Sequence, residues 1–112
     1  MNQNFEQEIN QLHAEICAGL ADPTRILILY ELAAGPRNVT QLAEALGLSQ
    51  PTVSRHLKVL RERGMVTATR QGPAQEYQVQ DKRLIQALDL LRAVLHDALS
   101  RRAELVGAFS ES

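Results

Sequence analysis

A chain of 112 residues with one cysteine and a formal net charge of −1 has room for a single domain with a modest core. Its hydrophobic share of 45 % excludes wholesale disorder, and an aromatic content of 4 % without tryptophan implies an aliphatic core. There is no long apolar run that reads as a membrane span, no signal-peptide pattern at the start, and no second thiol for an intrachain disulfide, so a reducing cytoplasm is expected.

Phe5, Ile9, Leu12, Ile16 and Leu20 recur at helical spacing and predict a first helix over about 5–20. Asp22-Pro23 reads as an N-cap followed by proline at the first helical position. The second helix then carries Ile26, Leu27, Leu29, Tyr30 and Leu32, apolar on much of its surface, and is expected to be the central core helix. Gly35-Pro36 breaks it. Asn38, with Gln41 three residues on, opens a third helix through a capping box, with Leu42, Ala43 and Leu46 facing inward. Gly47-Leu48 is a turn, and Ser49 caps a fourth helix with Pro51 in its first turn. Val53, Leu57 and Leu60 are its buried stripe, and Gly64 ends it where positive φ is needed.

Two short helices joined by a glycine-containing turn form the helix-turn-helix pattern, here about 38–64. Met65–Arg70 and Glu76–Gln80 alternate like strands around a Gln71-Gly72-Pro73-Ala74 loop, which predicts a β-hairpin wing over about 65–80. A last helix follows from Asp81 to about Val106. Its Leu84, Leu88, Leu91, Leu95, Ala98 and Leu105 keep a coiled-coil-like rhythm that Arg102 interrupts. The expected architecture is mainly α with a small β-hairpin wing: an α+β winged helix-turn-helix of five helices in one domain, 1–112. The stripes at 5–20 and 81–106 ask for a partner chain, and Phe5, Ile9, Leu12, Ile16, Leu88, Leu91 and Leu95 are the candidate dimer contacts.

The charge is distributed unevenly. Residues 1–48 carry a net −4, residues 49–75 a net +4 and residues 76–112 a net −1. Affinity for DNA depends on this local footprint rather than on the total. Around the buried stripe of the fourth helix lie Gln50, Thr52, Ser54, Arg55, His56, Lys58, Arg61 and Arg63, side chains suited to base edges and phosphates. Gln50, Thr52, Ser54 and Arg55 are placed near base edges, with Arg55 bidentate to guanine and Gln50 paired with adenine. His56, Lys58 and Arg61 are assigned to phosphate or to an interface, and Arg70 and Gln71 of the wing to phosphate or the minor groove. Ser49 completes the set at the N-cap. A solvated face, with Ser54 bonded to backbone and Arg63 offsetting the helix C-terminus, is the alternative for the same residues.

The element order, the segment Ala21-Asp22-Pro23-Thr24-Arg25, the run from Leu48 to Leu57 and the wing together resemble the ArsR/SmtB family of bacterial winged helix-turn-helix repressors. The resemblance covers about 14–106. It implies a cytoplasmic, nucleoid-associated homodimer on an inverted-repeat operator, with the first and last helices at the dimer interface. Repression would follow from occluding RNA polymerase, with activation as the alternative.

The family's familiar metal sites are not matched. Asn38 and Thr40 stand where the resemblance implies a Cys-x-Cys pair. Asp89 is followed by Leu91 rather than histidine, with Arg102 and Leu105 downstream, and Tyr30 occupies the helix-two position of a redox cysteine. No cofactor is evident. His13 and Cys17, four apart on the first helix, are the remaining transition-metal candidates, with His96 of the last helix and Asp97 or Glu104 beside it. Alternatives for the signal are this metal set, a Cys17–Cys17 bridge between subunits, a small molecule, a metal contact outside these sites, or no ligand at all. A small buried hydrophobe is the plain reading of Cys17. An enzyme is not expected, for lack of a phosphate loop or an activated nucleophile. An RNA- or protein-binding winged helix is the remote rival.

Overall fold

The computed structural model describes residues 2–111, with side chains to residue 108. Helix α1 spans Gln3–Leu12 and continues into a π-helical segment, His13–Cys17. Helices α2 (Pro23–Ala33), α3 (Val39–Leu46) and α4 (Gln50–Glu62) follow, then strands β1 (Val66–Gln71) and β2 (Ala74–Val79) and helix α5 (Arg83–Glu111). The chain divides into two compact units, the first ending at Lys82 and the second made of α5.

Local chemistry explains the boundaries. The Asp22 side chain accepts the Thr24 N–H at 2.8 Å, which opens α2 with Pro23 in its first turn. At α3 the capping box is complete: Gln41 N–H donates to Asn38 at 2.8 Å, and the Asn38 N–H donates to Gln41 Oε1 at 2.9 Å. Gly47 (φ 65°) and Gly64 (φ 72°) take the left-handed conformation past α3 and α4. The next N–H in each case, Leu48 and Met65, bonds back to Ala43 and Leu60 at 3.0 and 2.9 Å, the Schellman closure.

The core of the first unit is aliphatic. Ile28, Leu29 and Leu32 of α2 are buried with Leu42 and Ala43 of α3, Val53, Leu57 and Leu60 of α4, and Met65 and Val66. Helix α2 packs against α3, α4 and β2, which makes it the central helix. Its Leu27 departs from the expected run by pointing to solvent.

The hairpin pairs Val66 with Val79 through Gln71 with Ala74 in antiparallel register. Gly72 at φ 62° opens its two-residue turn. Arg37 adds an isolated bridge to Tyr77, with N–H···O distances of 3.1 and 2.8 Å, so the segment before α3 forms a short third rung beside the wing.

The first helix is expected to be α throughout, yet one turn of it is π. The carbonyls of Ala14 and Glu15 in that turn accept hydrogen bonds from the Arg63 guanidinium. Arg63 therefore meets the first helix at its π-helical turn. Helix α5 is also longer than expected, starting at Arg83 and running past Val106. No helix among the described residues is long and apolar enough to cross a membrane.

Candidate nucleic-acid interface

Helix α4 separates its faces by period. Val53, His56, Leu57 and Leu60 are buried, while Gln50, Ser54, Arg55, Lys58 and Arg61 are exposed. Ser49 and Thr52 form the N-terminal edge. The Thr52 N–H donates to Ser49 Oγ at 3.3 Å, and the Ser49 hydroxyl donates to Thr52 Oγ1 at 2.8 Å. Gln50 Nε2 reaches Thr40 Oγ1 at 3.4 Å, which ties the start of α4 to the start of α3. Beside this face lies an open crevice lined by Asn38, Thr40, Ser54, Arg70, Gln75 and Tyr77. Arg70 and Gln71 stand exposed at the far end of β1. The helix face and the wing therefore border a common concave surface.

The cations fall into two groups. Among the described residues, Arg55, Lys58, Arg61 and Arg70 make no hydrogen bond or ion pair with the rest of the chain. Arg25, Arg37 and Arg63 instead donate to backbone carbonyls. The first group keeps its full donor capacity for an external anion. Arg63 does more than offset the helix dipole. It caps α4 and reaches across to Ala14 and Glu15.

His56 is a correction. It was assigned to phosphate or to an interface, and at 8 % exposure it has little surface to offer a phosphate. It lies three residues after Val53 and four before Leu60, so the period of α4 turns it inward. Its Nδ1 is 3.3 Å from Arg25 Nη1. Asp22, nearby, has its carboxyl held below the ordinary value of 3.8, mainly by the Thr24 N–H and further by the charge of Arg25. Arg25 was visible in sequence only as part of a family segment, and its contacts with His56 carry no local sequence signal.

The candidate dimer residues divide as well. Phe5, Ile9 and Leu12 line α1 at 41–46 % exposure, and Leu91 and Leu95 are 61 % and 53 % exposed. Ile16 is half-buried. Leu88 is 4 % exposed in the single chain. Leu90, Val94, Leu99 and Val106 of α5 are exposed but were not part of the expected stripe.

Among the described residues no group of three or more His, Cys, Asp or Glu side chains is arranged to hold a metal ion. His13, Cys17 and His96 are each exposed. Within one chain Cys17 is not buried.

Comparison with known proteins agrees with this geometry. The model of the family described as bacterial regulatory protein, arsR family, matches residues 22–68. The HTH-type transcriptional regulator NmtR of Mycobacterium tuberculosis is 42 % identical over 83 residues, covering 74 % of this chain and 68 % of the relative. The HTH-type transcriptional repressor SmtB of the same species is 40 % identical over 90 residues, 80 % of this chain and 65 % of the relative. A solved homodimeric winged helix-turn-helix DNA-binding domain from Mycobacterium bovis, described as a possible ArsR-family regulator, superposes with a TM-score of 0.77 at 29 % identity. It covers 90 % of this chain and 93 % of that one. The chain belongs to the bacterial arsR family, as a winged helix-turn-helix regulator of transcription that acts by binding DNA.

Proposed function

We propose that two copies of this chain form a repressor that grips an inverted-repeat operator. The carrying observation is the sorting of cations: Arg55, Lys58, Arg61 and Arg70 are exposed and unengaged, while the arginines elsewhere in the first unit are spent on its own carbonyls. A folded chain of net charge −1 that leaves four cations on one helix and wing presents a local anion-binding footprint. Gln50, Ser54 and Arg55, with Ser49 and Thr52 at the helix start, face base edges in this reading. Lys58, Arg61, Arg70 and Gln71 meet phosphate.

The exposed leucines and phenylalanine of α1 and α5 support a second copy as partner. Phe5, Ile9, Leu12, Leu91 and Leu95 then form the shared interface, as contiguous apolar faces are rarely left to water. The M. bovis structure, described as homodimeric, and the relative named as a repressor favour the same reading.

Selection from random duplex DNA followed by footprinting tests it. The expected product is a two-fold symmetric site with half-sites about one helical turn, roughly 34 Å, apart. Recovery of no enriched sequence, or preference for single-stranded RNA over duplex DNA, overturns the proposal.

A further inference from the structure

The last turns of the first helix are bound to the recognition helix by two arginines. Arg25 donates from Nε to the Gly19 carbonyl at 2.7 Å and from Nη2 to the Ala18 carbonyl at 3.2 Å, while its Nη1 meets His56 in the middle of α4. Arg63, at the end of α4, donates to the Ala14 carbonyl and, at 3.4 Å, to that of Glu15. The four acceptors stand at i, i+1, i+4 and i+5 and so share one side of the helical rod. They also lie toward its C-terminal end, where carbonyls carry partial negative charge and favour cations. Gly19 lets the two segments close up: a Cβ there would lie 2.5 Å from Met65 Sδ and 3.1 Å from Arg63 Cδ.

The other end of the same rod carries the exposed apolar stripe of Phe5, Ile9 and Leu12. A rigid connection from that stripe to α4 has a consequence for a two-fold operator. Where the partner seats on α1, the tilt and separation of the two reading heads follow from how α4 is fastened to the rod.

We infer that Arg25 and Arg63 are positioning residues, which touch no DNA and set the spacing of the two recognition helices by fastening α4 to the π-helical end of the first helix. The inference rests on the dimeric operator reading above. Its two anchors differ in kind. Arg63 holds the end of α4 through main-chain carbonyls alone, whereas Arg25 holds its middle through the buried His56.

The test uses the full chain and the selected operator. Variants Arg63→Met, Arg63→Lys and Arg25→Lys are compared with the parent on three duplexes: the full operator, one half-site, and full operators with one or two base pairs added or removed between half-sites. Circular dichroism melting checks that each variant is folded. Arg63→Lys keeps the charge but replaces the planar Nη1 amino group, which reaches both carbonyls, with a tetrahedral ammonium on a differently shaped stem. The expected result is unchanged half-site affinity with a loss of about tenfold on the native spacing, the size of effect that relay substitutions have on coupled sites. The ranking of altered spacings should also flatten.

Equal losses on half-site and full operator would mean that the arginines only support folding or touch DNA themselves, and would overturn the inference. Parent-like spacing preference in all folded variants would overturn it too. Failure of the parent to select any two-fold site removes the operator reading itself, a distinct outcome seen before any variant is made.

Discussion

Arg25 and His56 lie 31 residues apart in sequence, and their side chains meet at 3.3 Å between Nη1 and Nδ1. Because the guanidinium only donates, the imidazole nitrogen facing it acts as acceptor. The pair links the start of α2 to the middle of α4 beneath the exposed face, and so separates a residue that supports the recognition helix from those that read DNA.

His56→Ala is therefore expected to cost about 1–3 kcal/mol of stability, since it empties a buried site and strands one arm of Arg25. Denaturant unfolding measures the loss. The salt dependence of DNA binding should keep the parent's slope, because no phosphate contact is removed. A shallower slope would return His56 to the phosphate-facing side.

Arg55→Ala should weaken operator binding by about 1–3 kcal/mol and relax preference at one base pair. Lys58→Ala should behave differently, weakening all duplexes alike and reducing the salt slope by about one. Titrations at several salt concentrations on the operator and its single-base variants separate the two. Uniform loss for Arg55→Ala would move that residue from base to phosphate.

Asp22 makes stability depend on pH with a definite sign. Its carboxyl titrates below the ordinary value of 3.8 in the folded chain, chiefly because the Thr24 N–H donates to it. A group depressed on folding contributes stability that is fully present above its unfolded value and is lost as the pH falls through its folded value. Asp22→Ala should thus lower the melting temperature at neutral pH, and the gap between variant and parent should close on acidification below about pH 4. A gap that persists under acid would place the role of Asp22 outside its charge.

Gly19→Ala tests the close approach of the first helix to Met65. The added methyl would meet Sδ at 2.5 Å, so the buried Met65 must shift. An overpacking cost of about 1–3 kcal/mol is set against the roughly 0.5–1 kcal/mol that alanine gains over glycine in a helix. Thermal melting above the parent's would show that Met65 gives way without strain.

Leu12→Glu and Leu95→Glu should each shift the chain toward monomer in sedimentation velocity and weaken operator binding, since each places a charge on a proposed interface. Retention of the dimer by both variants would relocate the interface.

Much of the helix-turn-helix was legible from local signals. The caps at Asp22, Asn38 and Ser49 and the terminators Gly47 and Gly64 act within a few residues of themselves, and all appear in the structure. The stripe of Val53, Leu57 and Leu60 was equally plain, and its own period already turned His56 inward. Polar character outweighed position in reading that histidine as a phosphate ligand. The bridge between Arg37 and Tyr77 had no such signature, because it pairs a loop with a strand far along the chain.

Sequence alone determined where α2, α3 and α4 begin and end, which helix is central to the core and where positive charge accumulates. Those properties follow from spacing, capping and the side chains themselves. Tertiary structure decided which cations are free. Arg55 and Arg63 are alike as residues, yet Arg55 remains exposed while Arg63 is bound to carbonyls 48 and 49 positions earlier in the chain. A guanidinium becomes a DNA contact or an internal fastener according to the carbonyls brought near it, and only the folded chain brings them together.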